Sequence, residues 1–504
     1  MATQTTIELQ PMGREEQIAK TILPEIAESS ERTLDSGPPS SSPPSTLDHE
    51  PPTPKLATSR AWIVITQLCG INFISSFSNG LLTIGLPEIS RDLMIPSQLS
   101  LWPNSVFYLT AGSCLLLAGS IVDVIGPRRV NLPGALILGV FILACGLSRN
   151  AIDLVMFRAL QGIANAMIMP RAVSIIFLAM PLGFAFGLVL GGVFQNGTGW
   201  GVGFYAGGAT GLLFFLVSIW ALSADLRLVS MEEVMKRLGT EIDWVGAGMA
   251  STALALFSYV LAHKILSADT SRIEDSETIG LLIFSISLLI GFPLWMQLQQ
   301  KRGRPPLIPN HIWNNWSFTS VCLMILLANA VVNCMELFCS LFFQEVQLLS
   351  AIEASIRVLP QILVGTSLNF LTGVSVNTVP IMPAVVISSF CAFWAQILAP
   401  LAVDILFTVG TLVVSSAFPQ RTQAMAGAVF STFSQIGSSI GFCVTQVVSS
   451  SVTAESSFEN KSSPQALMKG YRATFWTLFA WMIATCVIAG VGLRKVGKVG
   501  VQRD

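Results

Sequence analysis

From Leu101 to Val122 the chain carries no charged side chain, and from Val130 to Leu147 it again carries none. Runs of this kind recur from residue 61 almost to the C-terminus. Each is close to the length that crosses a hydrocarbon core about 30 Å thick as a helix. Only 11% of the 504 residues are charged and 52% are hydrophobic, whereas soluble domains carry about 25% charged residues. The fold class this implies is an all-α polytopic membrane protein.

Fourteen spans are predicted, over 61–86, 98–122, 131–148, 151–171, 178–195, 202–223, 243–263, 278–298, 317–341, 354–375, 379–396, 398–419, 424–449 and 472–493. Boundaries are least marked from Ile152 to Phe194, where only Pro170-Arg171 and Pro181 punctuate the run, and over 376–400. An even count leaves both termini on one side. Basic residues in short loops set which side that is. Arg128, Arg129, Arg227, Lys236, Arg237, Lys301, Arg302, Arg304, Arg421, Arg494, Lys495 and Lys498 all fall on the even-numbered side. The opposite loops hold fewer: Arg91, Arg149, Lys264, Arg272, Lys461 and Lys469. Both termini are therefore expected in the cytosol. The sequon Asn460-Lys461-Ser462 falls in the long outer loop before the last span, as an acceptor for N-glycosylation. An unmodified sequon is the alternative.

Residues 1–59 read differently. The stretch "SGPPSSSPPSTLDHEPPTPK" is rich in Pro and Ser, and the segment holds nine acids against four bases. Such composition buries too little apolar surface to offset ordering entropy, so a disordered cytosolic tail is expected. It lacks the basic start and apolar core of a signal peptide, which makes the first span an uncleaved anchor. Nine cysteines are scattered without CxxC spacing and there are three histidines. Buried thiols acting as small apolar residues fit better than a metal site or a disulfide framework. A net charge of −1 with no Lys/Arg-rich tract gives no sign of nucleic-acid binding.

A charge at mid-membrane costs about 2.5–3.5 kcal/mol, so each one calls for a reason. Arg158 lies inside the fourth span in "VMFRALQGIANAM", with Gln161 and Gly162 one turn on. At i,i+3 the guanidinium and the amide share a face. Arginine does not deprotonate in practice, so Arg158 would bind an anion or bias a nearby carboxylate; a snorkelling arginine with structural partners is the alternative. Asp404 in "APLAVDILFTVG" and Glu336 in "VVNCMELFCSLFF" are candidate buried acids. Burial favours the neutral carboxyl, which suits such a group to take and release protons. Either could instead be solvated in a vestibule. In "GFAFGLVLGG", Gly183, Gly187 and Gly191 stand four residues apart with Gly192 beside them, and Gly437 and Gly441 repeat the spacing later. Small residues at this spacing let a neighbouring helix come close.

Between the second and third spans, "GSIVDVIGPRR" frames a charged turn with Gly119, Asp123, Gly126, Arg128 and Arg129. It resembles the GxxxDRxGxRR loop of the major facilitator superfamily, with Val124 where the family usually has arginine. Arg158-Ala-Leu-Gln161-Gly162 is similar to the RxxxG element of that family's fourth span. Gly183, Gly187, Leu188, Gly191 and Gly192 resemble the antiporter signature gxxxGPxxGG, with Leu188 replacing proline. "LWPNSVFYL" and "FPQRTQAMAGAVFSTFSQIG" resemble the fungal fourteen-spanner drug:proton antiporters. The sequence departs from that pattern in three places. The first span often carries an acid before its "LP", where this chain has Ser78 and Asn79. The basic loop between spans four and five is absent, and the loops flanking span eleven are short.

The resemblance implies two six-helix bundles around a central cavity, over 60–223 and 301–493, with two extra central spans in the linker 224–300 and a short cytosolic tail at 494–504. It implies a proton-coupled secondary exporter of amphipathic small organic molecules such as drugs, toxins or fungal secondary metabolites. Asp404 in first place and Glu336 in second would be the proton carrier, sensed by Arg158, and the proton gradient would stand in place of any cofactor. The partners expected are a small-molecule substrate, protons and the lipid bilayer, for a monomer in the plasma membrane or the vacuolar membrane. In the family the loop aspartate helps latch the bundles on the cytosolic side. Here Asp123 would meet the start of span thirteen near Gln423, an anion-to-dipole contact of about 0.3–1 kcal/mol. Two other functions remain open: an importer of a nutrient or siderophore, and a non-transporting membrane sensor or inactive copy. No cluster of His, Cys and acids points to an enzyme.

Overall fold

The structure, a computed structural model, describes residues 58–96, 99–168, 174–221, 231–263, 276–304, 306–360 and 420–493, with isolated positions between 406 and 418. Every regular element among them is helical. The first six are α1 (Thr58–Asp92), α2 (Trp102–Ile125), α3 (Pro127–Gly146), α4 (Ala151–Ile168), α5 (Ser174–Gly197) and α6 (Trp200–Ala221). The short α7 (Met231–Glu241) leads to α8 (Trp244–His263) and α9 (Ser276–Lys301). Then come α10 (Trp316–Leu341), α11 (Gln420–Ala454) and α12 (Pro464–Gly492), with a further helical segment at 351–360. Two ends follow from this order: the Asp92 end, where α1 gives way to α2, and the Gly126 end, where α2 gives way to α3.

Among the described residues nine helices are long and apolar enough to cross a membrane. The expected spans over 379–396 and most of 354–375 and 398–419, Asp404 included, lie outside the described residues. α7 occupies a connection that the sequence reading left without an element. Its Met231, Val234, Met235 and Leu238 fall at i, i+3, i+4 and i+7, one apolar stripe on an otherwise polar helix. α11 is long but not apolar enough to count among the nine. Its Thr432, Gln435, Ser438, Ser439, Thr445 and Gln446 are nevertheless buried, so its polar face must find partners inside the protein.

α1 packs against α5 and α6, α3 against α4 and α6, and α2 against α4. α10, α11 and α12 pack on one another, and α2 lies along α11 to join the two groups. One apolar cluster spans them, with Ile71, Leu82, Leu138 and Leu154 continuous with Leu337, Phe338 and Met482. α8 and α9 form a pair, and α8 leans on α2 and α11. A buried carboxylate ties that pair together. Asp243 caps α8 by accepting from Gly246 N at 2.9 Å, and it accepts from Trp295 Nε1 at 3.1 Å and Gln299 Nε2 at 3.3 Å on α9.

The glycine stripe of α5 is a packing seam. A Cβ at Gly183 or Gly187 would strike the α1 backbone carbonyls of Phe73 and Phe77, and one at Gly191 would lie 2.6 Å from Ile84. Gly192 faces elsewhere: a Cβ there would lie 2.7 Å from Ser355 Oγ and 2.8 Å from Ile352 Cα. Gly437 and Gly441 press in the same manner on α10 at Leu326 and Ala330.

Candidate functional site

At the Gly126 end, one residue closes α2 and opens α3. Gly126 has φ +91°, a conformation that side chains with a Cβ avoid, and Pro127 follows at the first position of α3. Arg128 reaches the end of α6 and donates to Ile219 O at 3.4 Å, a cation on a helix C-terminus. Arg129 and Asp123 are exposed. Gly119 does not serve the close approach that its place in the motif suggests. A Cβ there would meet only Ala428 Cβ, at an ordinary 3.9 Å. The side chain of Gln423, the expected neighbour of Asp123, lies outside the described residues.

Deeper in the protein, Arg158 is wholly buried among protein groups. Its Nε donates to Pro103 O at 3.2 Å. Nη1 donates to Gln161 Oε1 at 2.8 Å and Ser78 Oγ at 3.5 Å, and Nη2 donates to Asn79 Oδ1 at 2.5 Å. The guanidinium carbon lies 4.5 Å from the Phe107 ring centroid, a cation–π contact that strengthens out of water. Each of these acceptors is neutral. Gln161 shares a face with Arg158, as the i,i+3 spacing implies, and its Nε2 donates to Phe141 O at 2.9 Å. A side chain at Gly162 would strike Phe107 O and the Thr110 hydroxyl, so its bare backbone lets α4 reach α2. Ser78 and Asn79 thus fill the place where the resemblance leads one to expect an acid.

Tyr108, next to Phe107 in sequence, begins a separate polar run that crosses to the C-terminal helices. The Tyr108 hydroxyl donates to Asn333 Oδ1 at 2.9 Å, and Asn333 Nδ2 donates to Ser438 Oγ at 3.1 Å. Glu336 is half-buried one turn beyond Asn333 on α10. Both Glu336 and Arg158 lie within electrostatic reach of Tyr108. Toward the Asp92 end, Ser105 Oγ lies 3.0 Å from Ser439 Oγ and 3.2 Å from Cys443 Sγ, and Ser100 Oγ donates to Gln446 Oε1 at 3.3 Å. Ser355 Oγ donates to Leu188 O at 2.8 Å and Gln344 Nε2 to Ile84 O at 3.1 Å.

Tyr108, Asn333 and Ser438 escape the sequence reading because a search for charge passes over them. A usable signal was the i, i+4, i+7 spacing of Asn329, Asn333 and Glu336 in an otherwise apolar span. Asn460 is exposed in the connection before α12, with its Oδ1 accepting from Ser462 N at 2.9 Å.

Comparison with known proteins places this architecture. The chain is 32% identical to MFS-type transporter 1 of Pyricularia oryzae, over 88% of this chain and 85% of that one. It is 24% identical to the tetracenomycin C resistance and export protein of Streptomyces glaucescens, over 70% of this chain and 63% of that one. The inward-facing, unoccupied crystal structure of a bacterial homolog of the human lysosomal transporter Spinster superposes with a TM-score of 0.57 at 14% identity, covering 87% of this chain and 98% of that one. The sequence profile of the Major Facilitator Superfamily matches residues 68–441. The chain therefore belongs to the Major Facilitator Superfamily, a multi-pass membrane protein with the fold of its transporters.

Proposed function

We propose that this protein is a proton-coupled exporter of amphipathic small organic molecules, working by alternating access. The observation that carries the reading is the hydrogen-bonded run Tyr108–Asn333–Ser438 between the helix groups, with the half-buried Glu336 and the buried Arg158 both within electrostatic reach of Tyr108. A path that joins the two helix groups is disturbed whenever they move against one another. A carboxylate beside it gives a proton a means to bias that movement, since a ligand shifts an equilibrium only through its different affinity for the two states. Arg158 contributes a fixed cation that cannot take part as a proton carrier.

Two observations support the outward direction: the α5 glycine seam that resembles the antiporter signature, and a relative whose name records resistance and export. Glu336 is the first proton carrier in this reading, and Asp404 is the second. Substrate binds between 60–223 and 301–493, with Asp123 latching the Gly126 end against the start of α11. That end faces the cytosol together with both termini, in a monomer of the plasma membrane carrying a glycan at Asn460.

Expression in a drug-sensitive host tests the reading. Cells making the protein should retain less of an amphipathic drug, and a protonophore should abolish the difference. Glu336→Gln should remove the dependence on the gradient while surface expression persists. Greater drug accumulation would point to import and sink the exporter assignment.

A further inference from the structure

The hydrogen bonds around Asn333 fix which atom it presents to α2. Its Oδ1 accepts from the Tyr108 hydroxyl at 2.9 Å. Both amide hydrogens are spent elsewhere, on Asn329 O at 3.0 Å and on Ser438 Oγ at 3.1 Å. Ser438 in turn donates to Ser434 O at 3.2 Å, which leaves its oxygen to accept. Turning the amide over would forfeit both donated bonds, so Oδ1 stays toward α2. Asn329, one turn earlier, is held in the same way, its Nδ2 donating to Ile325 O at 3.2 Å. Glu336 falls on this face as well, at the i+7 position from Asn329.

The other side of the seam holds a donor. The rings of Phe107 and Phe442 stand 5.1 and 5.8 Å from the Tyr108 ring and keep the phenol in place. Tyr108 and Asn333 are only half-buried, so a molecule can reach the bond that joins them. Donor on α2 and acceptor on α10 are set by independent neighbours.

We propose that Tyr108 and Asn333 form a subsite for an uncharged hydroxyl group, an alcohol or a phenol, on the transported molecule. When the helix groups part, the phenol loses its acceptor and Asn333 Oδ1 loses its donor. A hydroxyl entering between them accepts from Tyr108 and donates to Asn333 through one oxygen, and neither group is left unpaired. Polar groups without partners inside a protein are costly, so the hydroxyl favours the parted arrangement over an empty one. An ether accepts from Tyr108 but leaves Asn333 Oδ1 without a donor. A carboxylate does the same and sets its charge against the acceptors of α10. The inference rests on the transport reading for the parting of the helix groups, and it names the substrate class of that site.

The full chain in nanodiscs tests it by equilibrium dialysis, with uptake by empty nanodiscs subtracted. The probes are pyrenebutanol, its methyl ether and pyrenebutanoate, and the series is repeated with anthracenemethanol, its methyl ether and anthracenecarboxylate. On at least one scaffold the alcohol should bind at least about tenfold more tightly than its ether and its carboxylate, because a site built to bond a hydroxyl rejects analogues that cannot. Asn333→Leu should bring the alcohol-to-ether ratio to about one, since Tyr108 donates to either oxygen alike.

Asn333→Ser decides the matter even if Asn333→Leu folds poorly. Its hydroxyl donates as well as accepts, so the ether is no longer penalised and the ratio should fall at least about threefold. Lost packing alone would weaken alcohol and ether alike and leave the ratio as it was. Equal binding of alcohol and ether on both scaffolds, or no binding of either alcohol, overturns the proposal. A ratio that survives Asn333→Ser does so too. Alcohol preference in a protein that leaves drug retention unchanged would sink the exporter assignment alone. Drug export by a protein that binds alcohol and ether alike would sink this inference alone.

Discussion

Asn79 holds Arg158 with a neutral oxygen at 2.5 Å, and a neutral acceptor holds a cation without ever taking up a proton. The charge at this site is therefore constant across the working pH range, and a proton-responsive group has to lie elsewhere, on α10 in our reading. Asn79→Ala should lower stability by about 1–3 kcal/mol, the loss of a hydrogen bond to a buried charge, read as a fall in thermal midpoint in detergent. Asn79→Asp should recover that midpoint and add a titration to transport that the native protein lacks. The pairing of Arg158 with Gln161 was legible in the sequence because helical spacing fixes which residues share a face. Asn79 and Pro103 were not legible as its partners, because periodicity says nothing about which faces of distant segments meet. Tyr108–Asn333 was hidden for the same reason.

Among the described elements, most span positions were legible to within a few residues because apolar length sets them, whereas α1 runs on to Asp92 past the expected 86 and α12 begins at Pro464 ahead of the expected 472. α7 was missed because an amphipathic helix on a surface needs no apolar run. The motif glycines divide by geometry: Gly187 meets a backbone carbonyl of α1, whereas Gly119 has room for a Cβ. Gly187→Val should cost about 3 kcal/mol or more through overpacking and reduce the monodisperse fraction in size-exclusion chromatography. Gly119→Ala should leave it unchanged.

The segment 351–360 opens with a capping box in which Ser350 N donates to Glu353 Oε2 at 3.0 Å and Glu353 N to Ser350 Oγ at 3.4 Å. These bonds hold the exposed Glu353 carboxyl below its usual range. The stability it adds is therefore complete above the ordinary carboxylate value and lost as pH falls through the lowered one. Hydrogen-exchange protection at 352–356, taken relative to the intrinsic exchange rate at each pH, should fall on acidification through that window, and Glu353→Gln should flatten the response.

At the scale of the molecule, Ser105 with Ser439 and Ser100 with Gln446 are hydrogen bonds between neutral groups of α2 or its approach and α11 at the Asp92 end. Ser105 beside Cys443 at 3.2 Å makes them testable as a unit. Ser105→Cys should form a disulfide with native Cys443 under mild oxidant, arrest transport, and regain it with reductant. Full transport by the oxidised, cross-linked protein would show that α2 and α11 need not part there. The order of synthesis adds a last point about Arg158. Its acceptors outside its own helix, Ser78, Asn79 and Pro103, and the ring of Phe107 all precede it in the chain. When α4 leaves the ribosome and its cation meets lipid, the receptacle for that charge is already in the bilayer, so biogenesis runs from host to guest. A circular permutation that delivers α4 first would reverse that order and leave a bare guanidinium to the translocon.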